Sequence, residues 1–264
     1  MKLLFSEALP DYKNYVFPYA IWAFPESGET PESFYARGFL PSSKDLDRFY
    51  LCRSLRVALR DFAPSSENRR ILRKCEGIEF ELLPASEVDF NEARRDFCLT
   101  YADIKFGKDI MTPKRLESLV SSKITSHFLL FREAQTGREI GLVMMYLLPP
   151  HVAQYYYAFY DLNYYRHNLG MFMMTTAVSH FAGLDFHHLY LGSCYSTNAL
   201  YKTQFSGAEF FNGACWSRNL AELKYLITRA QHLPAQHLFE TEDYVHQFYD
   251  GRLGNLVECS LFRI

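Results

Sequence analysis

The sequence predicts a mixed α/β (α+β) fold, and three patterns along the chain predict it. Residues 147–216 follow the order strand, loop, helix, strand, helix. Two strand-like runs, 126–133 and 138–147, flank Gln135-Thr-Gly137 and form a predicted hairpin. From Val88 to Ile104, apolar residues recur three and four positions apart, which is typical of a helix that packs on a core.

A change of pattern near residue 75 predicts two regions, a small N-terminal region over 1–75 and a mixed domain over 76–264. Residues 1–50 contain too many prolines for long helices, so we expect irregular structure there. Ser65 then predicts the start of a helix that carries a pair of arginines. The mixed domain begins with a short predicted strand from Ile78 to Leu83, which is apolar on one face.

Later helix and strand signals have clear starting points. Thr112 and Pro113 suit the N-cap and the first position of a helix. In a strand from Gln154 to Tyr160, the side chains alternate between faces. That alternation places on one face Tyr155, Tyr157, Phe159 and Asp161, and on the other Tyr156 and Tyr160. The remaining predicted elements are a helix at 171–181, a strand ending at Ser193, a helix from Asn198 to Phe205, a helix near 241–248 and a final strand.

Composition limits the classes of function. The formal charge is −2, so the average surface does not indicate nucleic-acid binding, although 19 Tyr and 23 Phe favour ring-lined clefts as well as a large core. The six cysteines are dispersed without a Cys-x-x-Cys pair, and the nine histidines lack metal-ligand spacing. We therefore expect no metal site. Because no leader and no apolar run of ~18 residues is present, we also expect a cytoplasmic protein without a membrane contact.

Two features point to a phosphate-bearing partner. A loop from Arg166 to Gly170 leads into a helix, and backbone N–H groups at a helix start bind anions. Residues 48–74 are rich in arginine, with only Asp61 and Glu67 as acids, and clustered cations suit a nucleic-acid backbone. The basic residues of that segment are Arg48, Arg53, Arg56, Arg60, Arg69, Arg70, Arg73 and Lys74.

Two sets of motifs resemble the aminoacyl-tRNA–protein transferases of the arginyl and leucyl type. The first set is Gly38-Phe39, Arg56-Val57, Phe62, Pro64-Ser65 and Arg69-Arg70. The second is Leu148-Pro149, Phe159-Tyr160-Asp161, Leu169-Gly170, Tyr190-Leu191-Gly192 and Tyr201-Lys202 with Phe205. The resemblance implies a GNAT-like acyltransferase domain with a mixed, splayed central sheet. It also implies an enzyme that moves leucine or arginine from charged tRNA to the N-terminal amine of a protein, marking that protein for degradation.

The chain departs from the family at several positions. The N-terminal cysteine cluster is missing, since only Cys52 lies between Gly38-Phe39 and Arg56. Leu162 stands where the family has proline, and Asn168 where it has serine. These departures agree with the absence of a metal centre and leave the donated amino acid and the acceptor open. Aminoacyl-tRNA is then a co-substrate, and no further cofactor is expected.

Three side chains are candidates for catalysis. The reaction must bring an amine to the ester, remove a proton and stabilise an oxyanion. Asp161, beside Tyr160 at a strand end, could grip or deprotonate the acceptor amine, or could cap the turn after the strand. Tyr201 could donate to the departing ribose oxygen, or could be a core residue. Cys194 lacks a histidine at a recognisable spacing and is interpreted as buried.

The remaining candidates are expected to bind the tRNA. The arginine group and the loop residues would contact phosphate or the acceptor stem, Ser193 would lie where the cleft opens, and Lys202 would contact phosphate or stay solvated. The full set is Arg56, Arg69, Arg70, Arg73, Arg166, Asn168, Gly170, Ser193, Asn198 and Lys202.

Two other functions stay open. A coenzyme A-dependent GNAT N-acetyltransferase is one, although Leu169 and Met171 stand where that loop has glycines. A member of the transferase family that binds tRNA or degron-bearing proteins without catalysis is the other. The oligomeric state is not indicated by the sequence.

Overall fold

The computed structural model describes residues 1–6, 20–229 and 238–262. In chain order the helices and strands are β1 (Lys2–Ser6), β2 (Ala20–Phe24), α1 (Pro31–Ala36), β3 (Phe39–Pro41), β4 (Phe49–Leu51), β5 (Ser54–Ala58), α2 (Ser66–Lys74), β6 (Ile78–Pro84), α3 (Glu92–Lys105), α4 (Pro113–Val120), β7 (His127–Glu133), β8 (Glu139–Leu148), β9 (Val152–Tyr160), α5 (Leu169–Gly183), β10 (His188–Ser193), β11 (Ala208–Phe211), β12 (Trp216–Ser217), α6 (Leu220–Arg229), α7 (Glu242–Tyr249) and α8 (Leu253–Cys259).

The chain divides into two compact units that alternate along the sequence. The central unit consists of Lys44–Leu46 and Val57–Leu191, and the terminal unit of Met1–Ser43, Asp47–Arg56 and Gly192–Ile264. The terminal unit is thus assembled from both ends of the chain, whereas the sequence placed a boundary at residue 75. Local composition carries no signal for such a long-range association.

The terminal unit contains a small antiparallel sheet in the order β1-β2-β4-β3. The prediction of irregular structure over residues 1–50 was therefore wrong, although the prolines do exclude long helices, since α1 has six residues. Gly38, a motif residue, has φ of 84° and is followed closely by β3. A Cβ atom at Gly38 would overlap the ring of Phe211, so both the backbone conformation and the space require glycine.

The central unit contains a mixed sheet in the order β10-β9-β8-β7-β6. The pairs from β6 to β9 are antiparallel, and β10 runs parallel to β9. One face carries a core under α3 and α4 that includes Tyr101, Leu116, Met144 and Phe159. On β8, a Cβ at Gly141 would meet Met173 of α5 at 2.8 Å, so α5 packs very closely here. The predicted mixed α/β fold class is confirmed.

Four helix starts, those of α2, α3, α4 and α6, follow from local side-chain hydrogen bonds. Ser65 and Asn68 form a capping box, in which Asn68 N donates to Ser65 Oγ (3.1 Å) and Ser65 N donates to Asn68 Oδ1 (3.0 Å). Thr112 Oγ1 accepts from Arg115 N at 3.2 Å, as the sequence predicted. Helix α3 begins after the Asn91 cap, later than Val88. The predicted helix near 241–248 is α7, but the predicted final strand is wrong, because α8 occupies that part of the chain.

A β-bulge in β9 changes which side chains share a face. Tyr157 pairs with Met144 of β8, whereas Tyr155 pairs with Met145, so Tyr156 is an extra residue in the ladder. Directly paired residues lie on the same face of a sheet, and neighbours along β8 lie on opposite faces. The prediction that Tyr155 and Tyr157 share a face is therefore wrong. Tyr157 and Phe159 do share one, and their rings stack with centroids 6.2 Å apart.

Candidate functional site

The central sheet opens between β9 and β10. The two strands pair only from His188 opposite Val152 to Tyr190 opposite Gln154. Strand β9 continues to Tyr160 without a partner residue in β10. The predicted splay of the sheet is thus present, and its opening begins next to Tyr155.

The bulge lies at this opening. Tyr156 is two residues past Gln154, where pairing with β10 ends, and a bulge residue has no regular ladder partner. Its ring meets that of Tyr157 edge-on, with centroids 4.8 Å apart. Burial raises the pKa of Tyr156, with Tyr157 adding to the rise and Arg115 opposing it, so the hydroxyl stays protonated and can donate.

The start of α5 lies beside the end of β9. Asn168, the residue before α5, has φ of 59° and makes no side-chain cap, so the first backbone N–H groups of α5 have no capping side chain. A Cβ atom at Gly170 would lie 2.8 Å from Tyr160 Cε1. Glycine is therefore required for the ring of Tyr160 to cover this turn. A 3-10 helix, Leu162–His167, includes the first two residues of the predicted loop, and Leu169 and Gly170 already belong to α5. The side chain of Arg166 lies outside the described residues.

The contacts of Asp161 are those of a turn residue. Its Oδ1 accepts from Asn163 N at 2.9 Å, and its Oδ2 lies 3.0 Å from Arg138 Nη1. The side chain is 13% exposed. Arg138 also donates to Tyr164 and pairs with Glu133. Both carboxylate oxygens are therefore occupied, as expected for the turn-capping alternative, and the role of Asp161 as a base stays a prediction.

The predicted tRNA-binding arginines differ in exposure and in the partners that they contact. Arg56, in the terminal unit, pairs with Glu209 at 2.8 Å, stacks 3.8 Å from the ring centroid of Trp216, and has a side chain only 11% exposed. Its predicted role in binding phosphate stays a prediction and would require the displacement of Glu209. The arginines of α2 are exposed: Arg70 pairs with Glu67 at 2.6 Å, Arg69 donates to Pro64 O at 2.5 Å, and Arg73 is fully on the surface.

The terminal unit contains four further candidates, which are Ser193, Asn198, Tyr201 and Lys202. Tyr201 is 47% exposed and Asn198 is exposed, so neither is a core residue. Lys202 Nζ donates to Ser193 O at 3.0 Å. Burial lowers the pKa of Lys202, against the opposing effect of the Cys194 and Cys52 thiols. The alternative that Lys202 stays solvated is therefore wrong, and its contact with phosphate stays a prediction. Cys194 is fully buried, as predicted.

A cavity of about 330 Å³ lies near the start of α5 in the central unit. Its wall includes the end of α2, the turn between β7 and β8, and the 3-10 helix before α5. The polar side chains of this wall are Lys74, Cys75, Glu76, Glu133, Gln135, Thr136, Tyr164 and His167. Cys75 Sγ donates to His167 O at 3.4 Å and thus joins α2 to the segment that leads into α5. Local patterns do not indicate this cavity, because three separate segments of the chain form it.

A second feature missed from the sequence is the surface next to Tyr157. Phe106, which follows α3, lies 6.4 Å from the ring of Tyr157, and Arg115 Nη2 lies 3.5 Å from Tyr157 Oη. The available signal was the presence of three large apolar residues, Ile104, Phe106 and Ile110, in an otherwise charged segment.

In the described parts of the chain, no group of three or more His, Cys, Asp or Glu side chains is arranged to hold a metal ion. Within residues 1–6, 20–229 and 238–262, no helix combines the length and apolar character needed to cross a membrane.

Comparisons with known proteins give a distant relative in sequence. The chain is 25% identical over 171 residues to an aspartate/glutamate leucyltransferase of Pseudomonas aeruginosa, covering 62% of this chain and 70% of the relative. No protein-family profile matches the chain. Among solved structures, L-PGS from Bacillus licheniformis has a TM-score of 0.43 at 11% identity, covering 68% of this chain. FemX has a TM-score of 0.41 at 7% identity, covering 67% of this chain. The chain spans 64% and 58% of those two proteins, less than two thirds of each.

Proposed function

We propose that this chain transfers an amino acid from aminoacyl-tRNA to the N-terminal amine of an acceptor protein. The observation that carries the proposal is the opening between β9 and β10 beside the uncapped start of α5. The name of the sequence relative supports leucine as the donated residue and aspartate or glutamate as the acceptor's first residue. The transfer would mark the acceptor for degradation, and charged tRNA as donor implies a cytoplasmic location.

The opening would hold the ester against the incoming amine. An aminoacyl ester is already activated, so approach, removal of a proton and stabilisation of the oxyanion are the remaining tasks. The bulge at Tyr156 offers a backbone N–H without a ladder partner, and such a group can donate to the developing oxyanion. The donors Tyr160 and Tyr201 remain our proposed catalytic hydroxyls.

The tRNA would be held by α2 and the start of α5. Helix N-termini bind phosphate through their free N–H groups, which here are those near Asn168 and Gly170. The exposed Arg69, Arg70 and Arg73 would neutralise backbone phosphates. The bond from Cys75 to His167 joins the two elements and supports their acting on one ligand.

The role of Asp161 as the base for the acceptor amine can be tested. To act as the base, its carboxylate must exchange Arg138 for the ammonium group of the acceptor. Asp161→Asn is then expected to lower kcat more than it lowers tRNA affinity. Full activity in Asp161→Asn would assign the residue to the turn alone.

One assay tests the function directly. The chain is incubated with tRNA charged with radiolabelled leucine or arginine and with peptides that differ in their first residue, and label on the peptide is counted. We expect leucine to move to peptides that begin with Asp or Glu. If no charged tRNA donates its amino acid but acetyl-coenzyme A donates its acetyl group, the chain is an N-acetyltransferase and the proposal is wrong. If the chain binds tRNA but catalyses neither transfer, it is a non-catalytic binding protein.

A further inference from the structure

An exposed apolar surface lies beside the bulge of β9. Ile104 at the end of α3 is 65% exposed, Phe106 is 42% exposed, and Ile110 before α4 is 50% exposed. Phe106 contacts Tyr157, which lies three residues past the end of the β9–β10 ladder. Exposed apolar side chains grouped next to a candidate site are typical of a surface that binds a ligand or a chain.

Arg115 of α4 lies in this surface and is held by neutral groups. Arg115 Nη1 donates to Ile110 O at 2.9 Å, and its Nη2 lies 3.5 Å from Tyr157 Oη. Among the described residues, no carboxylate lies within ion-pair distance of Arg115. Arg94 and Arg95 of the neighbouring α3 differ in this respect, because they pair with Glu139 and Glu117. The Arg115 guanidinium is thus positioned by neutral groups and retains free N–H donors.

We propose that Arg115 binds the side-chain carboxylate of an acidic first residue in the acceptor. This inference rests on the proposed function and names the residue that selects its acceptor. An Arg guanidinium recognises a carboxylate through two parallel hydrogen bonds, which an amide of the same shape cannot reproduce. Tyr157 joins Arg115 to the rim of the opening, where the acceptor amine must arrive. Ile104, Phe106 and Ile110 would pack against the residues that follow.

The composition of the surface favours a peptide over a nucleic-acid backbone. Binding of phosphates requires several clustered cations, as on α2. Here the neighbours of Arg115 are exposed Ile and Phe side chains, and the exposed Lys105 and Lys108 of the same segment are balanced by the exposed Asp103 and Asp109. An arginine beside apolar groups, next to a segment whose charges balance, is suited to one carboxylate on a short extended chain.

The test uses the full chain and four peptides identical except for a first residue of Asp, Glu, Asn or Gln. Peptide binding is measured by fluorescence anisotropy, and leucine transfer by kcat/KM. Arg115→Gln is expected to lower both the affinity and kcat/KM for the Asp and Glu peptides by roughly 10- to 100-fold. For the Asn and Gln peptides, the same two quantities should change by less than about 3-fold. Arg115→Lys should recover part of the loss, because lysine keeps the charge but cannot make the two parallel hydrogen bonds of a guanidinium.

Lys114→Gln is the matched control, since it removes an exposed cation from the adjacent position of α4. It should leave the acidic preference unchanged. The Thr112 cap uses the backbone N of Arg115, so the variants are expected to keep the fold, which circular dichroism checks. Equal losses for acidic and amide peptides in Arg115→Gln, or no acidic preference in the unaltered chain, would overturn the inference. If the unaltered chain transfers no amino acid but binds acidic peptides through Arg115, the proposed function fails and the recognition site stands.

Discussion

Gly170→Ala tests the placement of Tyr160 over the start of α5. Gly170 is the second residue of α5, and it is not among the glycines with positive φ. In an unobstructed helix, alanine at such a position would raise the free energy of unfolding by about 0.4–1 kcal/mol. The added Cβ, however, would lie 2.8 Å from Cε1, 2.9 Å from Cζ and 3.0 Å from Oη of Tyr160. The ring must therefore move.

The expected magnitude follows from these two opposing effects. Forcing an extra carbon against a packed ring costs about 1–3 kcal/mol. Subtracting the gain in helix propensity leaves a net loss of roughly 1–2 kcal/mol for Gly170→Ala. In a Tyr160→Ala background the obstruction is absent, so the same substitution should stabilise by about 0.4–1 kcal/mol. The sign of the effect is expected to reverse.

Urea unfolding of the four proteins in this double-mutant cycle measures the coupling. The coupling free energy between Gly170 and Tyr160 should be about 1–3 kcal/mol, with unchanged slopes. If Gly170→Ala has the same sign and size in both backgrounds, the ring of Tyr160 does not cover Gly170. The transfer assay adds a functional readout, because displacement of Tyr160 should lower kcat in Gly170→Ala.

Three further predictions concern the arginines and the buried carboxylates. Glu222→Ala should lower the free energy of unfolding by about 3 kcal/mol or more in urea titrations, because Ser217 and its other hydrogen-bonding neighbours lose a buried acceptor; a change below ~1 kcal/mol would contradict that network. Arg69→Ala with Arg70→Ala should weaken tRNA binding mainly at low salt in filter-binding assays, and identical affinity across salt concentrations would remove α2 from the tRNA site. Burial alone raises the pKa of Glu209, but its arginine partners outweigh that effect and lower the pKa below 4.5. The contribution of this carboxylate to stability is therefore present above pH ~4.5 and is lost as the pH falls through the folded-state pKa; unfolding curves from pH 3 to 7 should show the fall, and Glu209→Gln should diminish it.

Local signals in the sequence predicted local structure well. The capping box at Ser65, the Thr112 cap and the hairpin around Gly137 depend on hydrogen bonds between residues a few positions apart. The sequence contains both partners of each such bond within one short window. The order of strands and helices through residues 147–193 followed from the same kind of pattern.

Candidate residues were harder to interpret, because a motif fixes a residue type and not its partners. Arg56 pairs with Glu209, which is 153 positions away, and thereby leaves the group of exposed arginines. Lys202 is drawn onto the carbonyl of Ser193 and away from solvent. Arg115 carried no motif, and its free guanidinium next to Tyr157 became visible only in three dimensions.

By itself, the sequence determined the mixed α/β class, the helix starts at Ser65 and Thr112 and the hairpin around Gly137, since short-range hydrogen bonds and apolar periodicity suffice for them. The tertiary structure decided the assembly of the terminal unit from both chain ends, the bulge at Tyr156 and the surroundings of each charged side chain. Those features depend on pairing between segments far apart in the chain, where a shift of one residue in a strand reverses the face of every later side chain.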